Sequence, residues 1–128
     1  MFQTPKILGM AVSMAENAAT RLSAVAQNVA NADTPGYRAK DAPDFAQTYS
    51  EASSFQLRST RPGHLAAPSD VGDGALTIRA GGHMSPNGNN VSLEDEMMRA
   101  AGLRQDHDTA LAIYKKSLDI LRTSLGRG

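Results

Sequence analysis

Gln27-Asn28-Val29-Ala30-Asn31-Ala32-Asp33-Thr34-Pro35-Gly36-Tyr37 is the stretch on which the fold turns, because a helical period stops inside it. Asparagine tolerates the left-handed region, Thr34 is kept out of the helical region by the proline after it, and Pro35-Gly36 suits a type II turn. A helix therefore ends here. Working backwards, Ile7, Ala11, Met14, Ala18, Leu22, Val25 and Val29 fall at alternating steps of four and three, which places them on one face of a helix of about six turns. The steps repeat every eleven residues, the period of a straight or slightly right-handed pair. Thr4-Pro5 opens the segment as an N-cap followed by proline at the first helical position.

Working forwards, residues 37–90 carry most of the prolines and glycines and hold no sustained helical period. Phe55-Gln56-Leu57-Arg58 and Leu76-Thr77-Ile78-Arg79 alternate like two short strands of one hairpin. So long an irregular span reads as an extended arm or surface insertion, partly β or disordered in the lone chain. Ser85-Pro86-Asn87-Gly88-Asn89-Asn90 is a dense turn signal. Ser92 follows as an N-cap, with Glu94, Asp95 and Glu96 set against the positive end of a helix dipole. The second long helix carries a heptad seam through Leu111, Tyr114, Leu118, Leu121 and Leu125. Counted backwards, it runs through His107, Arg104, Ala100, Met97 and Leu93.

The expected fold is mainly α: two long terminal helices, 1–36 and 91–128, pair antiparallel or parallel as a coiled-coil-like unit. With the middle segment 37–90 they make one discontinuous domain. Composition says how well such a pair would hold. Of 128 residues, 41% are hydrophobic but only 5% aromatic, with no tryptophan, and much of the apolar content is alanine. Two stripes of small side chains barely offset backbone ordering of about 1–2 kcal/mol per residue. The lone chain is expected to be marginal and to be ordered by neighbouring copies. Head-to-tail contacts that do not close would then build a helical tube. Ile7, Met14, Leu22, Val25, Val29, Asn28, Asn31, Tyr37, Leu93, Met97, Leu111, Leu118, Leu121 and Leu125 are the expected subunit-interface residues. Asn28 and Asn31 are helix-end polar groups able to bond backbone across a subunit boundary, and Tyr37 can bury its ring while its hydroxyl finds a partner.

The formal net charge is zero, so no field draws in nucleic acid. With no cysteine there is no disulfide or thiol chemistry. No stretch is long and apolar enough for membrane insertion, and the N-terminus lacks the layout of a cleaved secretion signal.

The segment from Gln27 to Tyr37, together with Ser85-Pro86-Asn87-Gly88-Asn89-Asn90-Val91-Ser92-Leu93-Glu94-Asp95-Glu96-Met97, resembles the rod proteins of the bacterial flagellar basal body, and among them the proximal-rod FlgB type. The first segment is similar to a signature shared by rod and hook proteins. The second is similar to the opening of the C-terminal helix in that type. The resemblance implies a structural subunit of the rod, whose terminal helices form the wall of a drive shaft transmitting torque. It implies partners: other copies, FlgC-type rod proteins and the small adaptor joining rod to membrane ring. It places the protein in the periplasmic part of the basal body, exported without cleavage by the flagellar type III apparatus. It also suggests Phe45 and Tyr49, one helical turn apart, as residues read by the export gate; otherwise they are a local hydrophobic pair.

Competing chemistry is weak. Asn87-Gly88-Asn89-Asn90 lacks the Walker lysine pattern, and the three acids after it would repel an anion. His64, His83 and His107 have no metal-ligand spacing, and no nucleophile elbow frames a serine. No catalytic, cofactor or metal residue is assigned. The alternatives are a non-polymerising helical adaptor of a secretion or motility apparatus, and a small enzyme using the histidines.

Overall fold

The structure, a computed structural model, describes residues 5–54, 76–79 and 81–126. Three helices and two short strands follow in order: α1 (Lys6–Ala30), β1 (Lys40–Asp41), α2 (Phe45–Ser54), β2 (Thr77–Ile78) and α3 (Leu93–Ser124). The two long helices run antiparallel, since Asn28 near the end of α1 meets Glu96 near the start of α3, while Ala11 and Leu111 line one groove further down.

Their boundaries follow local chemistry. Pro5, at φ −51° and ψ 135°, stands at the N-cap of α1 rather than inside it, and its carbonyl accepts from Leu8 N–H at 2.9 Å. The expected cap, Thr4, lies outside the described residues. Past Ala30 the chain makes the expected turn: Tyr37 N–H donates to the Thr34 carbonyl at 3.3 Å, and Gly36 sits at φ +74°, the left-handed value that the third position of a type II turn demands. Ser92 caps α3, its hydroxyl accepting from Asp95 N–H at 3.4 Å. Gly126, at φ +75°, closes the far end.

Two expectations about the middle change. Phe45–Ser54 is a helix, α2, where no helix was expected. The Thr77–Ile78 strand exists, but it pairs antiparallel with Lys40–Asp41, in the register Lys40 with Ile78 and Asp41 with Thr77. The expected partner, 55–58, lies outside the described residues.

The core is thin. Of nine buried apolar residues among those described, six are alanines: Ala11, Ala18, Ala24, Ala39, Ala42 and Ala110. Such small side chains let α1 and α3 approach closely but remove little apolar area from water. On α1 the middle of the expected stripe is turned inward: Ala11, Ala18 and Val25 are buried, Met14 and Leu22 half-buried, and Ile7 and Val29 at its two ends exposed. On α3 the buried series is Glu96, Leu103, Ala110, Ser117, at steps of seven. Each lies one residue before the expected Met97, Arg104, Leu111 and Leu118, a step of about 100° on that side of the seam, which turns the buried face as a whole by about half as much. Ala100, His107 and Leu121 lie half-buried at the edge common to both faces.

Candidate functional site

The densest polar packing lies where the end of α1 meets the start of α3. Asn28 is fully buried and uses its whole amide inside the chain. Its Nδ2 donates to the Lys40 carbonyl at 2.8 Å and to Glu96 Oε2 at 3.1 Å; its Oδ1 accepts from Lys40 N–H at 2.9 Å and from the Tyr37 hydroxyl at 3.2 Å. Asn28 thus ties β1 to both long helices, in place of the expected bond across a subunit boundary. Asn31 also bonds locally, Nδ2 donating to the Gln27 carbonyl at 2.8 Å. The Tyr37 ring is half-buried with its hydroxyl satisfied, as its amphipathic character requires.

Glu96 has 0% exposure, yet it is a carboxylate. Burying it demands a partner for each oxygen. Arg79, at the end of β2, supplies one through Nη1 to Oε1 at 2.7 Å, and Asn28 supplies the other. The N-terminal turn of α3 adds a favourable dipole. Arg79 is itself held by its N–H donating to the Ala39 carbonyl at 2.8 Å.

Asn89 caps the opposite helix end. Its Nδ2 lies 2.8, 2.8 and 2.9 Å from the carbonyls of Asn31, Ala32 and Thr34, and its Oδ1 accepts from Val91 N–H at 2.8 Å. Asn90 Oδ1 accepts from Ala39 N–H at 2.7 Å, and Asn17 Nδ2 donates to the Pro43 carbonyl at 3.1 Å. Arg21 forks onto Asp41 at 3.1 and 3.3 Å and reaches Asp44 at 2.9 Å; Arg99 adds a 3.4 Å contact to Asp41. Burial works against the Arg21 charge, but Asp41, Asp44 and Asp106 outweigh it and raise its pKa. A raised pKa stabilises fully below the unfolded value and is lost only above it, so at neutral pH this ion contributes without titrating.

These asparagines and ion pairs hold residues 39–46 along one flank of the helix pair, where Asn17, Ala18, Phe45 and Leu103 line a cleft of about 210 Å³. Among the described residues, no segment crosses the other flank. There Ala11, Val12, Ala15, Glu16, Leu111 and Tyr114 line a shallow groove of about 180 Å³.

The expected interface residues divide accordingly. Val25 and Asn28 are buried inside the chain; Met14, Leu22, Asn31, Tyr37, Leu118 and Leu121 are half-buried. Ile7, Val29, Leu93, Met97, Leu111 and Leu125 face outward, Met97 at 66% and Leu125 at 82% exposure. Phe45 and Tyr49 stack with ring centroids 5.6 Å apart, Phe45 half-buried and Tyr49 outward. His83 is exposed, His107 sits on the helix-pair edge 3.9 Å from Asp108, and His64 lies outside the described residues. Among the described residues no three His, Asp or Glu side chains are grouped to hold a metal, and no helix is long and apolar enough to cross a membrane.

The family model described as flagella basal body rod protein matches residues 8–38, which is α1 from Leu8 together with the turn after it, through Arg38. The flagellar basal body rod protein FlgB of Agrobacterium fabrum is 30% identical over 120 residues, covering 88% of this chain and 87% of the relative. That of Cereibacter sphaeroides is 30% identical over 106 residues, covering 83% of each. The chain belongs to the FlgB family of flagellar basal body rod proteins. It is a structural rod subunit of the flagellum, found in the basal body.

For this FlgB-family chain, apolar periodicity missed Glu96, Arg79, Asn17, Asn89 and Asn90, because their burial depends on partners far along the sequence. One signal was available: Glu96 lies seven residues before Leu103, which continues the seam that Ala110 and Ser117 complete.

Proposed function

We propose that this rod protein polymerises through its two terminal helices into the proximal rod, the drive shaft that transmits torque for motility. Its chemistry is mechanical and not enzymatic. Residues 1–36 and 91–128 act as one discontinuous unit, with residues 39–46 and 76–79 laid against it. The neighbours are other copies, FlgC-type rod proteins and the adaptor joining rod to membrane ring, met in the periplasmic space after passage through the flagellar type III apparatus.

The observation that carries this reading is the outward apolar surface of the helix pair: Leu93, Met97, Leu111 and Leu125 on α3, with Ile7, Val12 and Val29 on α1. Large apolar side chains left exposed in such number on two paired helices mark an interaction surface. The groove between Val12 and Leu111 is open enough to take a side chain from a neighbour. The reading is tested by Leu111→Asp and Met97→Asp. Both sites are exposed in the single chain, so the charge leaves its fold intact, whereas Leu22 and Leu118 are half-buried and would disturb fold and surface together. Motility in soft agar should be lost while the protein is made and exported at wild-type levels. Unchanged swimming in both variants would sink the proposal.

A further inference from the structure

The two candidate seams of α3 differ in an instructive way. The buried series is Glu96, Leu103, Ala110, Ser117; the series one residue later is Met97, Arg104, Leu111, Leu118. By hydrophobicity the second is the better seam, with three large apolar residues against one. Yet Met97 is 66% and Leu111 47% exposed, while Glu96 is wholly buried. Packing alone does not select this arrangement: the buried face is small-residued, and a cleft of about 210 Å³ remains beside Leu103.

Polar satisfaction does select it. Turning α3 by one residue would carry the Glu96 carboxylate away from Arg79 Nη1 and Asn28 Nδ2, its partners at 2.7 and 3.1 Å. Arg79, 17% exposed in its side chain, and the fully buried Asn28 would then face Met97, which accepts neither hydrogen bond usefully. We infer that Glu96 is an orientation key: bound by Arg79 and Asn28, it holds α3 with Met97 and Leu111 of its more apolar seam turned outward. The inference rests on the reading that this seam is the assembly surface. Without the key the chain would bury that surface against its own α1. A buried ion pair contributes little net stability compared with apolar residues of similar size, and fixing one arrangement among several is its best-attested role. Both partners lie outside α3, Arg79 directly after β2 and Asn28 on α1, so Met97 and Leu111 are presented only once β2 has docked.

The chain has no cysteine, so single reporters can be read cleanly. Ala110→Cys and Leu111→Cys are introduced separately into the full chain, and their rates of maleimide labelling are compared. In the otherwise unchanged chain Cys at 111 should label far faster than Cys at 110, whose native side chain has 0% exposure. Adding Glu96→Leu with Arg79→Met removes the key without leaving a buried charge. The 111-to-110 rate ratio should then fall by at least about tenfold, with helicity by circular dichroism retained. Glu96→Gln alone should shift the ratio the same way by a smaller factor. Arg79→Met alone strands the carboxylate, so helicity should drop and labelling at both sites should accelerate. An unchanged ratio in the double variant, or loss of its helicity, overturns the inference: packing would set the orientation, or the key would be a plain stabiliser. Labelling judges the key, while Leu111→Asp motility judges the assembly surface, so either can fail without the other. A double variant that inverts the ratio yet swims normally would break the link between them.

Discussion

At the scale of single residues, this chain is held by amides more than by apolar anchors. Asn28 is the extreme case, with two donors and two acceptor positions all used within the chain and no exposure. Asn28→Ala would leave Lys40 N–H and carbonyl, the Tyr37 hydroxyl and one oxygen of Glu96 without that partner. At roughly 1–3 kcal/mol for each buried group left unpaired, the loss should be about 3 kcal/mol or more, read as a lower urea midpoint. A shift under about 0.5 kcal/mol, the range of ordinary surface substitutions, would mean that water replaces the amide freely. Sequence reading placed Asn28 and Asn31 at the helix end but did not supply the partners they have within the chain. An asparagine at a helix end is equally able to bond within or between chains, and only the return of β1 to its side decides which. Glu96 was legible as a first-turn acid suited to the helix dipole, but its burial was not, because Arg79 is 17 residues away along the chain.

At the scale of elements, the terminal helices were legible from end signals that act locally. The α1 stop at Asn31, the type II turn at Gly36 and the Ser92 cap all form where the side chains alone dictate them. What α3 buries was not legible, because hydrophobic periodicity counts side-chain polarity and cannot see a carboxylate drawn inward by distant partners. The helix α2 was missed for a related reason: ten residues carry too few apolar positions to set a period, and its first turn is anchored by contacts of Asp44 and Pro43 with α1. The close approach of α1 and α3 also gives a sharp expectation. Ala110 is fully buried on the seam, while Ala112 is exposed on the same helix. Ala110→Leu should overpack the pair and cost about 1–3 kcal/mol, whereas Ala112→Leu should change stability by less than about 0.5 kcal/mol. Equal midpoints in denaturant for the two variants would show that the helices are not in close contact there.

At the scale of the whole molecule, order is unevenly supported. The junction of Asn28, Glu96, Arg79, Asn89 and Asn90 concentrates long-range hydrogen bonds at one end of the helix pair, while α3 has no buried residue beyond Ser117 and ends with Leu125 largely exposed. Amide exchange in the isolated subunit should therefore be slowest around Asn28, Ala39 and the first turns of α3. It should be fastest in the last two turns of α3, where assembly then brings protection. Uniform protection along α3 in the free chain would contradict this gradient and the idea that neighbours complete the structure. By itself the sequence determined that two long helices form at the ends, where the first stops and the second begins, that the apolar content is rich in alanine and poor in large side chains, and which family the chain resembles. Those properties depend on neighbours a few residues apart. Only the tertiary structure decided that the helices run antiparallel, that β2 pairs with β1, and that α3 turns Met97 and Leu111 outward. Each of those depends on hydrogen bonds between residues tens of positions apart, whose free energy exists only after the chain has folded back on itself.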